Sequence, residues 1–198
     1  DTENALKTKD YSGNKNNGTV YGATWQSSGK VGGAYSYNGT DYISIPYCFE
    51  NNFIDKITVG SWIKTILNSG TIVSFNRSKY WDLAVSDGCV KWSTNASDGT
   101  VDTNGTKNIS DNTWHHVVTT YDSTTGDCDI YIDGLLDKSE KVHNSGESLG
   151  SGDTPIGFIG KGTGSASSEV IFSSSFETQD EKDNWNEHNQ STGEESWE

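Results

Sequence analysis

Apolar and polar residues alternate most clearly in the middle of the chain. Over Cys128–Ile132 every second residue is apolar, and the residues between them are Asp129 and Tyr131, which is the pattern of a half-buried strand. Trp114–Tyr121 is rich in aromatic and β-branched residues and also predicts a strand. The segment between them has the composition of a hairpin loop, and Asp133-Gly134 is typical of a tight type I′ turn. The pattern therefore predicts a three-stranded antiparallel meander.

Shorter segments of the same kind predict strands on both sides of the meander. Ala34–Tyr37 and Tyr42–Ile45 alternate with a period of two and predict a hairpin across Asn38–Asp41. Ile57–Thr65 has few polar breaks, which predicts a central strand covered on both sides. The polar stretches at 94–111 and 137–153 predict loops. The other predicted strands are Gly18–Trp25, Thr71–Phe75, Tyr80–Val85, Cys89–Ser93, Ile156–Ile159 and Val170–Phe172.

The composition favours an all-β protein with one main domain. The chain has 198 residues, 22 of them glycine and only two proline, and it shows no long helical period. Hydrophobic residues make up 31%, but seven Trp, nine Tyr and six Phe supply a large buried area per residue. We therefore predict an antiparallel two-sheet β-sandwich over residues 1–176, followed by an acidic tail or short helix over residues 177–198.

Several stretches match one family in sequence and in order. WHHVVTTYD and IYIDG lie in the predicted meander, GKVGGAYSYNGTDYISIP lies at Gly29–Pro46, ITVGSWIKT at Ile57–Thr65 and PIGFIGKG at Pro155–Gly162. In these stretches the chain resembles laminin G-like domains with the concanavalin A-like jelly-roll fold, over roughly Asn14 to Phe176. The resemblance implies a β-sandwich that binds sugars or proteins, and it implies no reaction.

The resemblance also implies a calcium ion held by the rim loops. The matching residue is Asp41, with Glu169 and a backbone carbonyl as further ligands. In the last strand of the resembling domains an aspartate stands where this chain has Ser168, so only Glu169 matches there. The alternative is that Asp41 and Asn38 only shape a turn. A calcium site at Asp41 and Glu169 is therefore an expectation to be tested.

Aromatic residues near turns are the predicted ligand contacts. A sugar docks its C–H face on an exposed ring while its hydroxyls bind polar neighbours. Tyr80 and Trp81 are the strongest pair, because adjacent strand positions point to opposite faces and one ring should point outward. We predict Tyr80, Trp81 and Trp92 as ligand-binding residues. The alternative is that these rings pack in the core.

The residues that could carry catalysis are poorly placed for it. A glycoside hydrolase needs two carboxylates about 5–10 Å apart across the scissile bond. Asp127 and Asp129 straddle the inward-facing Cys128 and so belong to the outer face. His115 and His116 point to opposite faces and cannot share one metal ion without a bulge. We predict that the protein is not an enzyme.

The charge of the chain argues against nucleic acid as a partner. Lys and Arg total 14 against 28 Asp and Glu, a net charge of −14, whereas phosphate recognition needs clustered cations. Residues 177–198 hold eight acids and one lysine, a local −7 that is typical of a solubilising tail. The chain has no run of the roughly 20 apolar residues that predicts a membrane helix.

N-glycosylation sequons and cysteines give information about the cellular location of the protein. Chance produces sequons in a chain rich in Asn, Ser and Thr, so it is the family resemblance that favours a secreted or cell-surface location. Cys48, Cys89 and Cys128 permit one disulfide in any of three pairings, and Cys128 is expected to be buried beside Ile130. The predicted N-glycosylation sites are Asn17, Asn38, Asn76, Asn95, Asn104, Asn108 and Asn189.

Together these observations predict recognition rather than chemistry. We expect an extracellular, lectin-like adhesion module that binds a glycan or a cell-surface protein through its rim loops, with calcium as its cofactor. The alternative is a structural subunit of a filament, sheath or virion, since polar termini and an imperfect last strand would permit strand exchange and self-assembly. A second alternative is the non-catalytic domain of a secreted glycan-active enzyme.

Overall fold

The computed structural model describes residues 7–46, 53–151, 156–162 and 172–177, and this part of the chain contains strands and no helix. The predicted all-β class is confirmed. The strands in these residues are β1 (Lys7–Thr8), β2 (Gly18–Tyr21), β3 (Thr24–Gln26), β4 (Ala34–Ser36), β5 (Tyr42–Ile45), β6 (Lys56–Lys64), β7 (Ser69–Ser74), β8 (Trp81–Ser86), β9 (Cys89–Ala96), β10 (Gly99–Asn108), β11 (His115–Asp122), β12 (Asp127–Ile132), β13 (Leu135–Lys141), β14 (Gly157–Ile159) and β15 (Phe172–Glu177).

The strands form two antiparallel sheets. One sheet has eight strands in the order β1-β2-β5-β14-β7-β8-β9-β10, and the other has seven in the order β13-β12-β11-β6-β15-β4-β3. Several neighbours in the sheets are distant in sequence, since β14 lies between β5 and β7 and β15 lies between β6 and β4. Such crossings between two packed sheets are typical of a jelly roll. The predicted two-sheet β-sandwich is therefore confirmed.

The predicted meander is present as β11, β12 and β13. Val117 lies opposite Ile132 in the pairing of β11 with β12, and Ile132 lies opposite Leu135 across the next turn. That turn consists of Asp133 and Gly134, whose φ angles of 53° and 81° are those of a type I′ turn. The right-handed twist of the paired strands matches this turn, so the dipeptide sets the register of the hairpin.

Two segments that look continuous in the sequence are divided between the sheets. The predicted strand Gly18–Trp25 is interrupted at Gly22, where a φ of 78° turns the chain, so β2 lies in one sheet and β3 in the other. The predicted hairpin of Ala34–Tyr37 with Tyr42–Ile45 is wrong for the same reason. β4 pairs with β3 and β15, whereas β5 pairs with β2 and β14, and the turn around Gly39 carries the chain between the sheets.

The predicted loops at 94–111 and 137–153 are wrong where the structure has strands. β10 spans Gly99–Asn108 and pairs with β9, and β13 spans Leu135–Lys141 and pairs with β12. Both are edge strands, so polar side chains remain in water while the backbone still forms ladder hydrogen bonds. Side-chain polarity alone therefore misidentified these segments.

The hydrophobic core fills the space between the sheets. Ile63, Val117 and Ile130 from the seven-stranded sheet and Leu83 and Trp92 from the eight-stranded sheet are all fully buried. β6 is central, as predicted, because it lies fourth of the seven strands in its sheet. It is not covered on both sides, however, since residues of its outer face keep part of their surface in solvent.

The C-terminal strand differs from its predicted position. β15 spans Phe172–Glu177, pairs with β6 and β4, and ends one residue beyond the predicted domain boundary at 176. Most of the predicted strand Val170–Phe172 lies outside the described residues, as does the tail from residue 178 onward.

Candidate functional site

Three aromatic side chains lie side by side on the outer face of the eight-stranded sheet. Val20, Ile43 and Ile159 point into the core from β2, β5 and β14. Because side chains alternate along a strand, their neighbours point outward. These neighbours are Tyr21, Tyr42 and Phe158. The hydrophobic alternation of three short strands therefore exposes one continuous row of rings.

The rings contact one another in sequence across the sheet. The Tyr21 and Tyr42 rings are stacked with their centroids 4.6 Å apart and their planes 19° apart. The Phe158 ring meets Tyr42 edge-on at 5.7 Å and 72°. Both geometries are favourable for aromatic pairs. Tyr21 is 47% exposed, so part of this aromatic surface is available to a ligand.

A lysine completes the group. Lys161 follows β14, and its Nζ lies 4.6 Å from the centroid of Tyr42 and 5.7 Å from that of Phe158. At these distances the ammonium is attracted to the ring faces. We refer to Tyr21, Tyr42, Phe158 and Lys161 as the Tyr42 cluster.

Asp41, the predicted calcium ligand, directly precedes Tyr42 at the same end of the sheet. Its Oδ2 accepts a hydrogen bond from the backbone N of Asn38 at 3.1 Å, and only 7% of the residue is exposed. Its Oδ1 packs so closely against Gly22 that a Cβ at that position would clash with it. These contacts show that Asp41 shapes the Asn38–Asp41 turn.

A calcium site needs six to eight oxygen ligands. In the described segments, no group of three or more His, Cys, Asp or Glu side chains is placed to hold a metal ion. The second predicted ligand, Glu169, lies outside the described residues. Asp41 thus brings one carboxylate to the rim, and calcium binding stays a prediction.

A row of polar side chains continues the site across the sheet. Phe158 lies opposite Ser74 on β7, Ser74 lies opposite Asp82 on β8, and the same row passes through Ser93 on β9 to Asp102 on β10. These residues share the outer face, because the residues on either side of them in β8 and β9 point into the core. The Tyr42 cluster is therefore the aromatic end of a polar row in which Ser74, Asp82 and Ser93 are buried and Asp102, at the far end, is partly exposed.

The two carboxylates of this row have different environments. Burial raises the pKa of Asp82 above its usual value, despite a hydrogen bond from Ser74 and the nearby Lys91. Burial also acts to raise the pKa of Asp102, but Arg77 lowers it overall. Arg77 donates from Nε at 2.8 Å and from Nη2 at 2.6 Å, a bidentate pair that keeps Asp102 ionised.

The predicted ligand-binding aromatics are in the core. Tyr80 and Trp92 have no exposed surface and Trp81 is 3% exposed, so no sugar can dock on their rings. The prediction is wrong because Tyr80 precedes β8 in a turn and folds inward. The rule of opposite faces therefore does not apply to Tyr80 and Trp81. Trp81 and Trp92 are in contact inside the sandwich, with centroids 5.4 Å apart.

The adjacent histidines do point to opposite faces, as predicted. His115 is buried, with Nδ1 2.9 Å from Asp133 Oδ2 and Nε2 3.2 Å from Asp111 Oδ1. Lys107 Nζ donates to the same Asp133 Oδ2 at 2.6 Å. His116 lies on the outer face, and only its backbone N contacts Asp133, at 2.9 Å. These contacts tie the start of β11 to the turn before β13.

A second buried histidine was not foreseen from the sequence. His143 Nδ1 lies 2.6 Å from Asp98 Oδ1, and its Nε2 lies 2.9 Å from Thr94 Oγ1. The chain of carboxylate, imidazole and hydroxyl has the chemical order of a catalytic triad. No substrate can reach it, since the His143 side chain has 0% exposure and Thr94 has 1%. It joins the β9–β10 turn to the segment after β13.

The remaining predicted sites divide by exposure. Asn17, Asn38, Asn104 and Asn108 are exposed and Asn76 and Asn95 are half-buried, whereas Asn189 lies outside the described residues. Their glycosylation stays a prediction.

The predicted state of the cysteines is confirmed in part. Cys128 is buried as expected, and Cys89 and Cys128 are both free thiols. Cys48 lies outside the described residues. In the part of the chain described here, nothing forms a helix that could cross a membrane.

A comparison with protein families identifies the fold. The laminin G-type family described as the concanavalin A-like lectin/glucanases superfamily matches residues 37–172. The chain belongs to this superfamily. The match covers more than half of the chain and confirms the resemblance seen in the sequence. A comparison with curated protein sequences finds no match.

Solved structures with the same fold include toxin binding domains. The binding domain of Paraclostridial Mosquitocidal Protein 1 has a TM-score of 0.71 and 20% identity, over 88% of this chain and 46% of that chain. The receptor binding domain of botulinum neurotoxin D gives 0.66 and 18%, over 93% and 52%. A structure of botulinum neurotoxin type C gives 0.66 and 16%, over 93% and 50%, and its description states that cell entry depends on two ganglioside molecules. At these identities the likeness shows a common fold, and this member of the superfamily spans about half the length of those chains.

Proposed function

We propose that this chain is an extracellular recognition module that binds a carbohydrate at the Tyr42 cluster and the rim loops beside it. The observation that carries the proposal is the outward row of three contacting rings, on a sheet whose other face forms the core. Core packing does not require these rings, because Val20, Ile43 and Ile159 already fill the inner face. An exposed aromatic row instead gives the apolar face of a sugar a surface to cover.

Polar groups around the rings suit the hydroxyls of the same ligand. The phenol hydroxyls of Tyr21 and Tyr42 and the ammonium of Lys161 lie at the aromatic end. Asp102 lies four strands from Phe158, which at about 4.8 Å per strand is roughly 19 Å along the row. The Asp102 side chain is 30% exposed and its partner Arg77 is 44% exposed. An oligosaccharide of several sugar units could contact both ends.

Three further points support recognition of a surface glycan. The superfamily takes its description from lectins as well as glucanases. Two of the solved structures with this fold are described as binding or receptor binding domains, and a third is described by its dependence on gangliosides. The exposed sequons fit a secreted or cell-surface location, which remains part of the proposal.

We infer binding rather than catalysis from the state of the carboxylates. Asp102 is held in a bidentate pair with Arg77, which leaves it a poor general base, and Asp82 is 94% covered. Asp127 and Asp129 lie on the outer face of the other sheet, away from the Tyr42 cluster.

The test is a glycan array probed with the purified chain, with and without a calcium chelator. We expect binding to a limited set of glycans and a loss of about tenfold in Tyr42→Ala, as expected from the removal of one ring contact and its buried area. Tyr11→Ala is the matched control. Tyr11 is 79% exposed, and the Nζ of Lys9 lies 4.6 Å from its ring centroid, as Lys161 does from Tyr42.

Both variants should keep the circular dichroism spectrum of the wild type and remain folded at the assay temperature, so that a loss of binding is not a loss of fold. The proposal fails if the wild type binds no glycan, or if Tyr42→Ala and Tyr11→Ala bind equally well.

A further inference from the structure

The Tyr42 cluster contains a positive charge in a chain whose net charge is −14. Arg77, on the same face of the sheet, is neutralised by Asp102. Lys161 differs from it, because none of the ion pairs between described residues includes Lys161. Among the described residues its ammonium contacts ring faces rather than a carboxylate.

The rings hold this ammonium in place. Nζ lies within 6 Å of two ring centroids, 4.6 Å from Tyr42 and 5.7 Å from Phe158, and the lysine is half-buried. A free lysine side chain would lose rotamer entropy when it binds a ligand. A lysine already positioned by two rings loses less, so the charge is preorganised for a partner.

From this geometry we infer that the Tyr42 cluster is selective for an acidic sugar, one that carries a carboxylate or a sulfate next to an apolar ring face. The inference rests on the proposed carbohydrate-binding function and adds the ligand class to it. The sugar ring covers the Tyr21 and Tyr42 surface, and its anionic group accepts hydrogen bonds from Lys161. A hydrogen bond between two charged groups is stronger than one between neutral groups, so the acidic group sets the preference.

The experiment uses pairs of glycans that differ only in the acidic group. The array holds sialylated, uronate-containing and sulfated oligosaccharides, each beside its neutral counterpart. We expect the wild-type chain to bind at least one acidic member about fivefold or more tighter than its counterpart. The arms of the array distinguish carboxylate from sulfate as the preferred anion.

Variants assign the preference to Lys161. Lys161→Gln removes the charge and should abolish the preference, because binding of the acidic members falls by a larger factor than binding of their neutral counterparts. Lys161→Arg keeps the charge and should retain the preference. Lys30→Gln is the matched control, because Lys30 Nζ lies 5.1 Å from the ring centroid of Trp62 in the other sheet and should not affect glycan binding.

The possible outcomes separate the two proposals. Equal binding of acidic and neutral members, or an equal loss for both in Lys161→Gln, overturns the acidic-sugar inference and leaves the carbohydrate-binding function standing. An absence of binding to any glycan overturns both. A preference that is lost in Lys161→Gln and kept in Lys30→Gln and Lys161→Arg supports the inference.

Discussion

The turn between β12 and β13 offers a sharp test of how the fold is held together. Asp133 Oδ2 accepts from Lys107 Nζ at 2.6 Å and from His115 Nδ1 at 2.9 Å, and its Oδ1 accepts from the backbone N of His116 at 2.9 Å. The φ of Asp133 is 53°, a left-handed conformation that Asn adopts as readily as Asp. The substitution Asp133→Asn therefore preserves the turn and removes the negative charge.

The expected loss of unfolding free energy in Asp133→Asn follows from the pKa of this carboxyl. Partial burial acts to raise the pKa, but the contacts with Lys107, His115 and His116 outweigh it and lower the pKa of Asp133 from 3.8 to about 2. This lowering of the Asp133 pKa corresponds to roughly 2 kcal/mol, at 1.36 kcal/mol per pKa unit. Because the side chain is 34% exposed, solvent screens the interaction and we reduce this to about 1 kcal/mol. In a domain of this size that lowers the melting temperature by roughly 2–4 °C.

The sign of the pH dependence is fixed by the same shift. A carboxyl whose folded pKa lies below its unfolded value stabilises the fold fully above the unfolded pKa of 3.8. The contribution is lost as the pH falls through about 2. The difference in unfolding free energy between wild type and Asp133→Asn should therefore shrink below about pH 4 and vanish below about pH 2.

The assay is urea or thermal unfolding at several pH values, with Asp87→Asn as control. Asp87 occupies the equivalent position of an Asp-Gly turn, with a φ of 51°, between β8 and β9. Among the described residues its carboxylate has no hydrogen bond or ion pair like those of Asp133. Equal stabilities of Asp133→Asn and wild type at pH 7, or an equal loss in Asp87→Asn, would refute this reasoning.

Three further outcomes are expected. Because Cys128 is fully buried and burial raises its pKa to about 12, an alkylating reagent should label Cys89 but not Cys128 in the folded chain, and equal labelling by peptide mass spectrometry would contradict this. Gly160→Ala should lower the unfolding free energy by about 1–3 kcal/mol, since φ is 79° and a Cβ would lie 2.5 Å from Tyr37 Cδ1, whereas Gly146→Ala, in open space, should cost less. If calcium binds at Asp41, it should raise the melting temperature by several degrees at about one hundred times its dissociation constant, and Asp41→Asn should abolish the rise; a chelator that leaves the wild-type curve unmoved would exclude the site.

The fold could be predicted from the sequence where a local pattern is sufficient to specify it. The alternation over Cys128–Ile132 and the Asp133-Gly134 turn depend on neighbouring residues only, so they identified the meander correctly. β10 was not predicted as a strand because an edge strand needs only backbone pairing, and its polar sequence is like that of a loop. The assignment of β4 and β5 to different sheets depends on partners far away in the chain, β15 and β14, which no local pattern reveals.

The candidate binding surface could be predicted only in part. The sequence pointed to aromatic rings and to Asp41, and the structure places Asp41 next to Tyr42 at one rim. It pointed to the wrong rings, because proximity to a turn does not decide whether Trp81 or Trp92 faces inward. The decisive signal was the alternation itself, in which an outward Tyr42 adjoins the buried Ile43.

The strand order explains why the Tyr42 cluster forms where it does. Tyr21 and Tyr42 come from the N-terminal part of the chain and Phe158 lies much later in the sequence, and the three rings meet only because β14 inserts beside β5. β14 is three residues long and pairs with β5 on one side and β7 on the other, so its position is fixed from both edges. Lys161 comes two residues after this strand. Between them lies Gly160, which packs against the Tyr37 ring and turns the chain with a φ of 79°. The backbone before Lys161 is therefore positioned by a strand held between two neighbours, and from it the ammonium reaches the rings of Tyr42 and Phe158.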